Sequence, residues 1–248
     1  MQFKDLIYPV FQPVVDVNGA PIYYEANVRA YGQRTDDGHT RLLAVAEEMG
    51  FVDTLDRIIC EAAIDAGLGS RGPVGVNVSA LTVQSSLEDF VLLVRRARSI
   101  PGGIVVELTE TVQPDRMDLM ERFISEVRSA GARIAVDDYG TGHFEPHDVC
   151  GIGPDFLKLA MPRVHEAMHD ASARRWLAGA IDLANQVGAH VIAEGIEDES
   201  TLHFLTRSGV RYFQGYLWGL PSHVMPRRRD SFHHNREAAI RDTVKVTA

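Results

Sequence analysis

Residues 103–138 read GIVVELTETVQPDRMDLMERFISEVRSAGARIAVDD and contain two β-strand patterns with a helix pattern between them. The outer runs, 103–110 and 133–138, are short, apolar and rich in β-branched residues, as expected for strands buried on both faces. In 114–130 the apolar residues recur at spacings of one, three and four, which predicts an amphipathic helix. The stretch therefore predicts a β–α–β unit with parallel strands.

The same alternation of strand and helix patterns extends on both sides of this unit. Further strands are predicted at PVGVNVSA (73–80), DFLKLA (155–160), HVIAE (190–194) and VRYFQ (210–214). Further helices are predicted at 41–49, 53–66, 162–187 and 198–208, the second of them closing at Gly67 and Gly69. The first 30 residues instead predict a hairpin, because two strand patterns flank Asn18-Gly19. About eight strands in 248 residues favour an α/β fold of the (β/α)8 TIM-barrel type over an open doubly wound sheet.

Composition and charge exclude several classes of protein. Apolar residues make up 45% of the chain and charged residues 24%, which is usual for a globular protein. No apolar run is long enough to span a membrane, and a net charge of −9 argues against binding a DNA or RNA polymer. The two cysteines, Cys60 and Cys150, show no metal or disulfide spacing and predict a cytoplasmic location. Residues 1–225 are expected to form the barrel and residues 226–248 a charged tail or helix.

Each predicted strand ends in a polar or charged side chain. In a β/α barrel the carboxyl ends of the strands meet at one mouth, so five acidic residues are expected around one cavity: Glu25, Glu107, Asp137, Asp138 and Glu194. Such a cluster requires cations or bound protons to relieve its repulsion, and Asn77 adds an amide oxygen of the kind that hard divalent cations bind. Each acidic residue alone could be a helix cap or turn former. Their occurrence at successive strand ends favours a site for two metal ions.

The adjacent residues Asp137 and Asp138 are the hardest to explain as capping residues. Neighbouring side chains of a regular strand point to opposite faces. We therefore expect the backbone to bend at this pair, with Gly140 and Gly142 supplying the conformational freedom.

Two basic residues near the strand ends each have two interpretations. Lys158 either orients or activates a metal-bound water, or is a surface lysine whose aliphatic stem covers apolar surface. Arg29 either holds a phosphate through two parallel hydrogen bonds or forms an ion pair with a neighbouring carboxylate.

Eight segments between about Phe11 and Pro221 form an ordered series: FQPVVDVNGAPIYYEANVR, LLAVAEEMGFVDTLDRIICEAA, VNVSA, VVELTET, IAVDDYGTG, PDFLKL, VIAEGIED and FQGYLWGLP. This series resembles the EAL domain family, the phosphodiesterases of the bacterial second messenger cyclic di-GMP. The resemblance implies a modified TIM-like barrel with one antiparallel strand near the N-terminus. It also implies hydrolysis of cyclic di-GMP to linear pGpG with two Mg²⁺ or Mn²⁺ ions per site.

The resemblance implies a role for each matching residue. The residues expected to hold the first metal ion are Glu25, Asn77, Glu107 and Asp137. Those expected to hold the second metal ion are Asp137, Asp138 and Glu194. Lys158 is expected to contact the nucleophilic water. The expected catalytic residues are Lys158, Asp138 and Glu194. The expected substrate contacts are Gln12, Arg29 and Gln214. Glu110 is expected to anchor the loop after Asp138. In the family this loop commonly takes part in dimerisation, so the resemblance also implies a homodimer.

Three features depart from the family pattern. Asn27 stands where the signature triplet has leucine, and we expect it to tune Glu25 or the substrate pocket because it follows Glu25 by two residues on the same strand face. Ala160 replaces an aspartate, and HFEPHDVCGIG (143–153) replaces the usual loop. These departures leave open a second function, that of a catalytically weak or inactive domain acting as a cyclic di-GMP receptor or protein-interaction module. The complete set of implied metal ligands favours the enzyme.

Overall fold

The computed structural model describes residues 7–31, 45–46, 48–70, 72–109, 117–142 and 144–225. Eight strands close into a barrel in chain order. Their bounds are β1 Ile7–Asp16, β2 Pro21–Ala30, β3 Val74–Val78, β4 Ile104–Leu108, β5 Arg133–Tyr139, β6 Phe156–Leu159, β7 His190–Ala193 and β8 Tyr212–Gln214. β1 runs antiparallel to both β2 and β8, and all other neighbours are parallel. The predicted TIM-like barrel with one antiparallel strand near the N-terminus is therefore confirmed.

The antiparallel start of the barrel depends on the turn between β1 and β2. A side-chain oxygen of Asp16 accepts hydrogen bonds from the main-chain N–H groups of Asn18 and Ala20, at 2.8 and 2.9 Å. Gly19 has φ 75°, a conformation that glycine adopts at little cost. The turn confirms the predicted hairpin and fixes the register in which Gln12 lies opposite Glu25.

Helices cover the outside of the barrel. Their bounds are Val52–Ser70, Ala80–Ser85, Leu87–Arg96, Met117–Ser129, Pro146–Ile152, Met161–His169, Ala171–Val187 and Glu199–Arg207. Their buried apolar faces and the outward faces of the strands form one continuous core. In the ranges that the structure describes, no helix combines the length and the apolar character needed to cross a membrane.

Two helix predictions need correction. The predicted helix 162–187 is two helices, because the Asp170 side chain accepts a hydrogen bond from the Ala173 N–H at 2.7 Å and starts a new helix. The helix predicted at 53–66 does not close at Gly67 and continues to Ser70. A Cβ on Gly67 would lie 2.9 Å from the Ile100 side chain, so this glycine allows close packing rather than ending the helix.

The segment 143–153, which the sequence suggested to be a loop, contains a helix. Pro146 occupies the first turn of Pro146–Ile152, where its missing N–H is tolerated. Glu145 and Asp148 form a reciprocal capping box at its start. The helices Ala80–Ser85 and Leu87–Arg96 were not predicted from the sequence.

Three predictions concern residues outside the described ranges. They are most of the predicted helix 41–49, the loop anchor Glu110 and the tail 226–248. The domain boundary at residue 225 and the role of Glu110 stay predictions.

Candidate metal and active site

Two layers of side chains fill the barrel because alternate residues of each strand point inward. The lower layer is apolar and comprises Val14, Tyr23, Val105, Ala135, Phe156 and Ile192, which form a cluster separate from the outer core. On the parallel strands, the residues two positions further on are charged: Glu25, Glu107, Asp137, Lys158 and Glu194. The sequence prediction that strand ends converge on one mouth is realised by this upper layer, which we call the mouth layer.

Lys158 lies at the centre of the mouth layer. Its Nζ is 2.6 Å from a carboxylate oxygen of Glu107, 2.7 Å from Asp137, 2.9 Å from Glu194 and 3.2 Å from Glu25. The side chain is 1% exposed, which overturns the interpretation of Lys158 as a surface lysine. One buried ammonium group therefore faces four carboxylates.

Glu25 is the most heavily hydrogen-bonded of these carboxylates. Its Oε1 accepts from the Nδ2 atoms of Asn27 and Asn77, both at 3.0 Å. Its Oε2 accepts from Gln214 Nε2 at 2.5 Å and Lys158 Nζ at 3.2 Å. A carboxylate has about four lone-pair sites, so every acceptor position of Glu25 is in use.

Burial and charge act in opposite directions on the pKa values of the mouth layer. Burial tends to raise the pKa of Glu25, but Lys158 and the hydrogen bonds from Gln214 and Asn77 outweigh it and lower the pKa to about 2. Burial dominates elsewhere: it raises the pKa of Asp137 to about 6 and that of Glu194 to about 8, against the opposing effect of Lys158. The pKa of Glu107 is raised as well, by burial and by repulsion from Glu25 and Asp137.

Lys158 itself stays protonated. Burial lowers its pKa, but the surrounding carboxylates, Asp137 first, raise it well above its usual value. One positive charge cannot neutralise four carboxylates. The mouth layer therefore holds excess protons or further cations.

The donor set fits a hard divalent cation. Glu25, Glu107 and Asp137 each offer a carboxylate oxygen, and these oxygens lie within 4.8 Å of one another. The buried oxygens that have no hydrogen-bond partner among the described residues include Asn77 Oδ1, Glu107 Oε1 and Gln214 Oε1. Buried acceptors without donors are costly, and a cation bound by carboxylate and amide oxygens would remove this cost.

Asp137 and Asp138 lie on different sides of a distorted strand end. Asp137 is buried in the mouth layer, whereas Asp138 is exposed and has φ 52°. The pairing of β5 with β6 shifts between Val136 and Tyr139. The predicted bend is present, but its strain falls on Asp138 itself, while Gly140 also adopts a positive φ of 106°. A non-glycine residue in this conformation is uncommon and is typical of functional sites.

A cavity of about 540 Å³ opens above the mouth layer. Its polar lining includes Glu25, Asn27, Asn77, Asp137, Asp138, Glu194, Gln12 and Gln214. Its apolar lining includes Val28, Val52, Leu55, Ile59 and Val78. The cavity therefore combines carboxylate and amide groups with apolar side chains.

Arg29 is placed differently from the other predicted site residues. It lies on β2, where its guanidinium donates to the main-chain oxygen of Val28 at 3.1 Å. It is not among the described residues that line the cavity. Its role as a phosphate contact stays a prediction.

Asp56 lines the cavity and was not predicted from the sequence. Its Oδ2 accepts hydrogen bonds from the Ser79 N–H at 2.8 Å and the Thr82 hydroxyl at 2.6 Å, and burial raises its pKa. These contacts fix the helix Val52–Ser70 to the end of β3. The sequence did contain a signal, since Asp56 is the acidic residue on a helix face that otherwise carries Leu55 and Ile59.

Comparison with known proteins identifies related chains. A family model for the EAL domain matches residues 3–221. The bifunctional diguanylate cyclase/cyclic di-GMP phosphodiesterase MucR of Pseudomonas aeruginosa is 27% identical over 222 residues, covering 85% of this chain and 32% of MucR. The cyclic di-GMP phosphodiesterase PdeR of Escherichia coli is 25% identical over 186 residues, covering 72% of this chain and 28% of PdeR. The chain thus spans about a third or less of the length of these relatives.

Solved structures show the same fold. The MucR phosphodiesterase in complex with c-di-GMP has a TM-score of 0.76 at 24% identity, covering 88% of this chain and 93% of that structure. Klebsiella pneumoniae BlrP1 in complex with manganese and cyclic di-GMP has a TM-score of 0.73 at 20% identity, covering 87% of this chain and 56% of that structure. At these identities the likeness establishes the barrel and leaves the chemistry to the site residues.

Proposed function

The chain belongs to the EAL domain family, and from this premise we propose that it hydrolyses one phosphodiester bond of cyclic di-GMP, giving linear pGpG. The observation that carries the proposal is the mouth layer, in which four carboxylates surround Lys158 beneath a cavity of about 540 Å³. The relatives named as cyclic di-GMP phosphodiesterases, and the related structures that contain cyclic di-GMP, support this choice of substrate.

Divalent cations, Mg²⁺ or Mn²⁺, are part of the proposal. Glu25, Asn77, Glu107 and Asp137 would hold one ion, and Asp137, Asp138 and Glu194 a second. Bound in this way, two ions would stabilise the charge on a phosphoryl group during in-line attack by water. The manganese in the related BlrP1 structure supports the choice of ion.

Lys158 would orient the attacking water and would not act as a base. Its pKa is raised because four carboxylates surround it, so the ammonium keeps its proton near neutral pH. A protonated lysine offers three donors and no acceptor. Lys158 would therefore donate to the water oxygen, and its charge would also favour the approach of a phosphate.

The apolar lining of the cavity would take the flat parts of the substrate. Val52, Leu55 and Ile59 of this lining come from one helix, Val52–Ser70. Gln12 and Gln214 belong to the polar lining, where they would contact the nucleotide. Phosphate chemistry and base packing would then use different side chains of the cavity.

Turnover measured by chromatography tests the proposal. The purified chain is incubated with cyclic di-GMP in Mg²⁺, in Mn²⁺ and in EDTA, and we expect pGpG only with a metal ion present. Asp138→Asn should reduce turnover by orders of magnitude, since it removes a charge from the second ion's ligands. Asp182→Asn makes the same change on an exposed helix position away from the cavity and should retain turnover. Nucleotide binding without product in every metal would contradict the enzyme and favour the receptor function.

A further inference from the structure

Asn27 holds one oxygen of Glu25 from the same strand. It follows Glu25 by two residues on β2, so both side chains lie on the face that lines the cavity. Its Nδ2 donates to Glu25 Oε1 at 3.0 Å, an acceptor that it shares with Asn77. The pairing of β2 with β1, in which Val10 lies opposite Asn27 and Gln12 opposite Glu25, keeps both residues in a regular strand.

A cation at Glu25 must replace one of the four donors that now fill its acceptor positions. Asn77 is suited to make way, because its Oδ1 is buried without a hydrogen-bond partner among the described residues. Turning the Asn77 amide would offer that oxygen to the cation. Asn27 is half-buried, and its Oδ1 is not among the buried oxygens that lack a partner, so Asn27 has no comparable reason to turn. Asn27 is therefore the amide donor to Oε1 that persists when a cation binds.

We propose that Asn27 is a positioning residue for the cation site: its amide fixes the orientation of the Glu25 carboxylate before and after the ion binds. The inference rests on the proposed function, since it assigns Glu25 to a cation. Donors that orient a ligating carboxylate typically change metal affinity or activity by about 10–100-fold when they are removed. A leucine side chain cannot donate a hydrogen bond, so it could not replace this one.

Mn²⁺ binding to the nucleotide-free protein tests the inference. Free Mn²⁺ is followed by electron paramagnetic resonance during titration of the parent and of Asn27→Leu, which keeps the branch at Cγ and has no donor. We expect the Mn²⁺ affinity of Asn27→Leu to be about tenfold lower, with an unchanged melting temperature in EDTA. Asn185→Leu, the same change at an exposed helix position, should bind Mn²⁺ as the parent does.

A second variant separates loss of the donor from a steric effect. Asn27→Ala removes the amide without adding bulk, so its Mn²⁺ affinity should fall as far as that of Asn27→Leu. Parent-like Mn²⁺ affinity in either folded variant would overturn the inference, as would a parent whose Mn²⁺ binding is insensitive to Glu107→Gln. The formation of pGpG is a separate readout: a parent that binds Mn²⁺ but forms no pGpG contradicts the proposed function and leaves the affinity comparison valid.

Discussion

The two layers inside the barrel lie two residues apart on the same strands and differ almost completely in chemistry. Val105 and Phe156 belong to an apolar cluster, whereas Glu107 and Lys158, one inward position further, form a buried ion cluster. Alternate residues point inward along the whole strand, so strand geometry alone does not explain why the two layers differ in chemistry. The lower layer therefore stabilises the barrel, whereas the mouth layer carries groups that burial alone would not favour.

The pKa values of the mouth layer show that burial of its carboxylates is unfavourable. The pKa values of Glu107, Asp137 and Glu194 are raised mainly because burial disfavours their charged forms. Buried ionisable groups with shifted pKa values are typical of functional sites. The comparison therefore predicts opposite outcomes for substitutions in the two layers.

The largest expected effect contrasts Glu107→Gln with Val105→Ala on β4. Glu107→Gln removes a buried negative charge, so turnover should fall by a factor on the order of 10³ or more. The melting temperature in EDTA should stay the same or rise, because repulsion within the mouth layer decreases. Val105→Ala should instead cost about 2 kcal/mol of unfolding free energy, since it leaves a cavity in the lower layer.

Turnover assays and thermal melts of these two variants check this contrast. Val105→Ala should retain most of its turnover at a temperature well below its melting point. A Glu107→Gln variant that is strongly destabilised yet active would contradict the division into two layers.

The second-largest expected effect concerns Gly75, which lies between Glu107 of the mouth layer and Tyr23 of the lower layer. A Cβ on Gly75 would lie 2.3 Å from Glu107 Oε1 and 2.7 Å from the Tyr23 ring. Gly75→Ala should therefore displace the Glu107 carboxylate and lower Mn²⁺ affinity by about 10–100-fold. Calorimetric titration with Mn²⁺ measures the change, and Mn²⁺ affinity equal to that of the parent would show that the mouth layer tolerates a shift of Glu107.

The pH dependence of stability should follow the mouth layer in the absence of cations. The pKa of Glu194 is raised from its ordinary 4.5 to about 8, and that of Asp137 from 3.8 to about 6. The folded state therefore binds more protons than the unfolded state in these windows, so stability falls as the pH rises through them. Glu25, with a pKa lowered to about 2, acts in the opposite direction, and its contribution is lost as the pH falls below 4.5.

Thermal melts in EDTA should show this loss as a decrease in melting temperature of roughly 5 °C or more between pH 5 and pH 8.5. Glu194→Gln should reduce the decrease, because the titrating group is gone. Saturating Mn²⁺ should also reduce it, because the ion takes the place of the bound protons. A melting temperature that rises over this range in EDTA would contradict the assigned directions.

The smallest effect lies outside both layers. Gly179 is an exposed residue within the helix Ala171–Val187, and a Cβ there would meet no atom within 4 Å. Gly179→Ala should stabilise the protein by about 0.5–1 kcal/mol with unchanged turnover and Mn²⁺ affinity. Chemical denaturation measures the gain and provides a matched glycine control for Gly75→Ala.

The barrel and its mouth could be predicted because both depend on local patterns. Buried parallel strands are short apolar runs, and the polar residue at each strand end marks the mouth, as Glu107 and Glu194 show. The break at Asp170 was missed, because the apolar periodicity continues across it and only its cap reveals a new helix. Pro146 was interpreted as a loop residue, although proline also suits the first turn of a helix.

Contacts between distant residues could not be predicted in this way. Asp56 accepts hydrogen bonds from Ser79 and Thr82, which are 23 and 26 positions away in the sequence. The hydrogen bond of Gln214 to Glu25 spans 189 positions and depends on closure of the barrel.

The most direct test of the central claim, that the mouth layer is a cation site, is a crystal structure of the chain grown with Mn²⁺ and recorded with anomalous diffraction at the manganese edge. We expect an anomalous peak bound by oxygens of Glu25, Glu107 and Asp137, with Asn77 turned to present Oδ1 and Asn27 still donating to Glu25. Anomalous peaks confined to other parts of the molecule, with Lys158 still among its four carboxylates, would contradict it.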